Sequence, residues 1–131
     1  METKAIAEKL LMAVIRGKLP PSALHEAGIR LTVDSSGDER GERRISVQAG
    51  PGIRVSPRPI DIANGLLAYR NRPEELRDWA AFVLAASEII DLSPLEEWPE
   101  GDELLSGLWD ASFEGSLKPE TERVASALTE Q

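Results

Sequence analysis

Between Asp78 and Gly115 the chain carries ten carboxylates and no lysine or arginine. They are Asp78, Glu88, Asp91, Glu96, Glu97, Glu100, Asp102, Glu103, Asp110 and Glu114. Three chemistries could use such a run. Two paired carboxylates can pass a proton between them and a substrate. Clustered carboxylate oxygens can hold a hard divalent cation. An acidic surface without interleaved bases can attract and steer a basic macromolecule. Nothing in the spacing selects a proton-transfer pair. Glu96, Glu97, Glu100 and Asp102 could surround a cation, but the twelve-residue calcium-loop spacing is absent. The third chemistry is the one that the pattern supports.

The acidity is local. Residues 1–77 carry a net charge of +3 and residues 118–131 a net −1, within a chain of net −8. From Asp102 to Glu114 the residues fit a helix. Leu104, Leu105, Leu108 and Trp109 fall on one side of it. Glu103, Gly107, Asp110 and Glu114 fall within about 60° of one another on the other side. No base supports these acids at helical spacing, so like charges repel unless a partner neutralises them. The preceding loop adds Glu96, Glu97, Glu100 and Asp102 to the same field. Trp98 lies within that loop, where an indole serves as a core anchor or an interface anchor. The candidate partner-binding residues are therefore Glu96, Glu97, Trp98, Glu100, Asp102, Glu103, Asp110 and Glu114. Trp79 and Trp109 lie on apolar helix stripes and are expected in the core.

Other chemistries find little support. The chain has no cysteine, which removes disulfides, thiolate metal sites and a thiol nucleophile. His25 is the single histidine. No Gly-x-Ser-x-Gly turn accompanies it, so a serine triad is not indicated. Gly50-Pro51-Gly52 lacks the lysine of a phosphate loop and reads as a turn. Arg40, Arg43 and Arg44 form the one basic cluster, without aromatic neighbours. With a pI near 4.7, nucleic acid and anionic membranes are not expected partners. No catalytic residue, cofactor or metal is assigned.

The elements that must position the acids follow from periodicity. Residues 2–17 read as an amphipathic helix through Ile6, Leu10, Leu11, Val14 and Ile15, stopped by Gly17. Ala23 to Ala27 is a short helical turn stopped by Gly28. Then the period becomes two. Ile29, Leu31 and Val33, then Ile45 and Val47, then Ile53 and Val55 alternate with polar residues. A glycine-containing loop over Asp34 to Glu42 and the Gly50-Pro51-Gly52 turn would connect them. These signals predict a three-stranded antiparallel meander with Arg30, Arg44 and Arg54 on the solvent side. From Pro57 the chain reads as helical. Leu76, Trp79, Ala80, Val83, Leu84 and Ile90 mark the clearest helix. Ser93-Pro94-Leu95-Glu96 has a capping-box pattern, and helices over 102–114 and 119–128 follow. The predicted fold class is α+β: the meander after an N-terminal helix, packed by a C-terminal helical set.

A length of 131 residues and an apolar content of 41% suit a single domain over 1–131. The apolar run from Leu10 to Ile15 is too short for a signal peptide or a membrane span. A cytoplasmic location is the expectation.

Residues 57–118 resemble small bacterial immunity proteins of toxin–immunity systems, loosely of the colicin-immunity type. The segments that carry the likeness are Asp61-Ile62-Ala63-Asn64-Gly65-Leu66-Leu67, Leu76-Arg77-Asp78-Trp79-Ala80 and Leu108-Trp109-Asp110-Ala111-Ser112-Phe113. The resemblance implies a stoichiometric inhibitor of a cognate toxin, often a basic nuclease. The expected function is thus a protein-binding immunity or inhibitor protein that meets a basic partner through an acidic helical surface. The alternatives are an enzyme using a carboxylate pair and a structural or homo-oligomeric accessory protein.

Overall fold

A computed structural model of the chain describes residues 2–34, 44–48 and 52–130. It is mostly helical. The elements run α1 (Glu2–Ile15), a 3-10 helix (Pro21–Ala27), β1 (Arg30–Asp34), β2 (Arg44–Gln48), α2 (Pro59–Ala68), α3 (Pro73–Ala85), α4 (Ser93–Glu97), α5 (Gly101–Glu114) and α6 (Pro119–Thr129). Prolines at the starts of α2, α3 and α6 suit the first turn, where a missing N–H costs nothing. Gly28 and Gly115 take left-handed φ values of 76° and 69° and end the 3-10 helix and α5.

The α+β reading is corrected. Among the described residues there is one two-stranded antiparallel ladder and no three-stranded meander. Its register pairs Leu31 with Val47 and Val33 with Ile45. The third predicted strand does not join it. Val55 instead forms an isolated parallel bridge with Ile90. The Val55 N–H donates to the Ile89 carbonyl and the Asp91 N–H to the Val55 carbonyl, both at 2.8 Å. The period-2 signal was a true sign of extended chain, since Ile53 is buried, Arg54 exposed and Val55 half-buried. Alternation reports which face is covered and does not name the neighbouring segment. The same bridge explains why α3 ends at Ala85, short of the Ile90 that its apolar stripe includes.

Ile29 is buried and Val47 packs on the core, while Arg30 is exposed. The side chains of Leu31, Val33, Arg44 and Ile45 lie outside the described residues, as do Arg40, Arg43, the loop 35–43 and the Gly50-Pro51 part of the predicted turn.

One cluster of buried side chains runs through all the α-helices. Its centre is Trp79. The indole is fully buried, and its Nε1–H donates to the Val14 carbonyl at 2.9 Å. Gly65 makes room for it: a Cβ there would lie 2.1 Å from Trp79 Cζ2 and 2.3 Å from the Ile15 carbonyl oxygen. A single indole therefore joins α1, α2 and α3. In α1 the buried positions are Ala7, Leu11, Val14 and Ile15, and Ile6, expected on this stripe, is exposed.

Candidate functional site

The acidic segment comprises the end of α3, α4, the turn after it and α5. Helix α5 is held on two sides, against α3 and against α6. Leu104, Leu108 and Ala111 are its buried apolar residues. Gly107 is buried as well, and a Cβ there would lie 2.3 Å from Thr121 Cγ2 of α6. This contact moves the exposed face away from the one expected. The outward stripe is Asp102, Ser106, Trp109 and Phe113, all exposed. It has the same i, i+4, i+7, i+11 spacing as Glu103, Gly107, Asp110 and Glu114, displaced by one residue, or about 100° around the helix.

The predicted site residues therefore divide. Glu96, Glu97, Glu100, Asp102 and Glu114 are exposed. Trp98 is half-buried and packs against the core. Glu103 faces α6, where its Oε1 accepts the Thr121 hydroxyl at 2.8 Å. Asp110 is held 3.4 Å from Lys118 Nζ. Trp109, expected in the core, is 55% exposed, and Phe113 is 50% exposed. Their rings stack with centroids 6.4 Å apart and 21° between planes. Sequence reasoning missed this pair as surface groups. The available signal was Gly107, a residue without a side chain in the middle of a supposed solvent face. Such a residue marks a place where another backbone or side chain comes close.

Bases from outside the run fold back onto part of it. Arg123 bonds Glu120, with Nε 3.2 Å from Oε2. The Glu120 hydrogen bond and charge hold its pKa above the usual arginine value, with smaller contributions from the nearby Glu100 and Glu103 carboxylates. The shallow cleft of about 430 Å³ here is lined by Glu100, Asp102, Glu103, Glu120 and Arg123. The arrangement is one Arg123–Glu120 ion pair with further carboxylates in the field of the guanidinium. A proton-transfer pair would instead need two carboxylates with clearly separated affinities. No group of three or more potential metal ligands occurs among the described residues.

Asp91 is engaged through both carboxylate oxygens. Its Oδ1 accepts the Ser93 N–H at 3.0 Å and the Ser93 hydroxyl. Arg54 lies 3.7 Å from its Oδ2. The Ser93 hydroxyl and N–H, helped by Arg54 and Ser56, hold its pKa below the usual aspartate value. A depressed folded value means that this contribution to stability is present above the unfolded-chain pKa and is lost as pH falls through the folded one. Carboxyl-detected NMR titration should place the Asp91 midpoint below the usual aspartate value. Ser93→Ala should raise it. An unchanged midpoint in that variant would show that Ser93 does not hold the carboxylate.

His25 is exposed. No described helix is long and apolar enough to cross a membrane. No family model, curated protein or solved structure matches the chain.

Proposed function

We propose that the chain is a protein-binding inhibitor of the immunity type, which neutralises a basic toxin through the surface of α4 and α5. The observation that carries this reading is the state of three carboxylates. Glu96, Glu97 and Asp102 are exposed, and among the described residues none of them has an ion pair. Their mutual repulsion is left in place by the fold and is relieved by a cationic partner. The same field speeds encounter with such a partner. Glu103 and Asp110 fall outside this surface, because Thr121 and Lys118 already engage them. Asp102 takes their place as the α5 carboxylate on the outward stripe.

The test begins with capture of a partner from lysate of the source cells, followed by binding kinetics at two salt concentrations. The captured protein should be basic, harmful when produced alone and harmless when produced with this chain. Raising the salt from about 0.02 to 0.2 M should slow association about ten-fold or more, because charges are screened beyond a Debye length of about 8 Å near the upper value. Glu97→Lys/Asp102→Lys should slow association at low salt. Equal association rates for this variant and the parent would defeat the proposal.

A further inference from the structure

We infer that Trp109 and Phe113 form an arginine-accepting platform on α5, which seats an arginine-bearing surface of a basic partner protein. The inference rests on the acidic docking surface proposed above and adds to it the part that confers grip. Four observations lead to it. Trp109 and Phe113 are the exposed aromatic residues of the chain, since Tyr69, Trp79, Phe82 and Trp98 are buried or half-buried. They stack on each other and so present one joined aromatic surface. They stand on the same outward stripe as Asp102, with Trp109 about 10 Å further along the helix axis. Neither α3 nor α6 has a way to cover them, because both are packed on other sides of α5, as buried Leu104, Leu108 and Gly107 attest.

The charge of the surroundings chooses the occupant. A two-fold contact between copies of this chain would set each stripe on its own counterpart. Asp102, and the field of Glu96 and Glu97 beside it, would then face another acidic field in a chain of net −8. A cationic partner meets no such penalty. Among cations, a guanidinium is planar and weakly hydrated and stacks on an indole face, whereas an ammonium is a compact and strongly hydrated point charge. An aromatic platform set in an acidic field therefore discriminates arginine from lysine, which the acids alone do not.

The experiment is an NMR titration of the ¹⁵N-labelled full chain at low salt with deca-arginine and, separately, with deca-lysine. The expected result is that the Trp109 indole N–H and the Asp102 amide shift together, with deca-arginine binding about ten-fold tighter than deca-lysine. Trp109→Ala should bring the two peptides to within about two-fold of each other. An unchanged Trp79 indole resonance certifies that this variant is folded. If the amides of residues 96–102 shift while the Trp109 indole does not, or if arginine has no advantage, the platform is overturned and the acidic surface stands. If neither peptide shifts these amides, the docking surface itself falls. Concentration-dependent dimerisation at low salt that Trp109→Ala abolishes would make the occupant a second copy and would also overturn the inference.

Discussion

Trp79→Ala is expected to cost about 4–5 kcal/mol of folding stability, at the top of the range for deleting a large core aromatic. The indole is fully buried and touches three helices, so the space it leaves cannot be filled by one side chain moving in. Tyr69, with its ring centroid 6.1 Å away, loses a neighbour as well. One term does not add. The Val14 carbonyl also accepts the Gly17 N–H at 3.0 Å, so losing the indole donor does not leave it unsatisfied. The void is therefore the main cost. Since domains of this kind are stable by about 5–15 kcal/mol, the variant should sit close to unfolding. Urea denaturation of the purified protein measures this. A loss under about 1 kcal/mol would mean that the three helices are held together elsewhere. Gly65→Ala attacks the same contact from the other side. It should remain harmful when Trp79 is absent, because the added methyl group also meets the Ile15 carbonyl, a backbone atom that cannot swing away.

The helices were legible in the sequence because each keeps a local pattern. The prolines at 59, 73 and 119 and the apolar stripe through Leu76, Trp79, Ala80 and Val83 need no knowledge of the rest of the chain. The meander was not legible, because pairing is a long-range fact. Ile53 and Val55 read as a strand in either arrangement, and only the position of residues 89–91 decides which edge they meet. The site shows the same limit one level up. A helical wheel gives correct angles and leaves open how many neighbours the helix has. Helix α5 packs against α6 as well as α3, and Thr121 of α6 fills the space above Gly107. This turns Glu103 inward and Trp109 outward. The apolar arc of α5 was thus wider than one core needed, and the residue left over was the largest on it. An indole at such an edge is the kind of group that partner surfaces use as an anchor. The run of acids is plain in the sequence, but only the fold separates those that already have a cationic neighbour, Asp91 and Asp110, from Glu96, Glu97 and Asp102.

Asp61→Ala should cost about 3 kcal/mol, and Asp61→Asn about half of that. Asp61 is the one buried carboxylate among the described residues, with its side chain 5% exposed. Its Oδ1 accepts from Arg16 Nε at 2.9 Å, which fastens the end of α1 to the start of α2. Its Oδ2 accepts the Arg58 N–H at 2.9 Å, so it also closes the N-terminus of its own helix. Breaking a fully buried ion pair costs about 3–5 kcal/mol, because the surviving charge is stranded. Here the survivor is not stranded. Arg16 is 38% exposed and can turn to water, which removes much of that penalty. The lost helix-end bond adds back about 1 kcal/mol. Asparagine keeps an oxygen for the Arg58 N–H and gives up the charge and the acceptor facing Arg16, which can turn to water, hence the smaller loss. Urea unfolding of the two variants separates the roles. Equal losses would assign the stability to the ion pair alone. A loss confined to alanine would assign it to the helix end. Neither variant should change the association rate with a basic partner, since Asp61 lies outside the α4–α5 surface. A slower rate in Asp61→Asn would mean that the charge felt by the partner extends beyond the acidic segment.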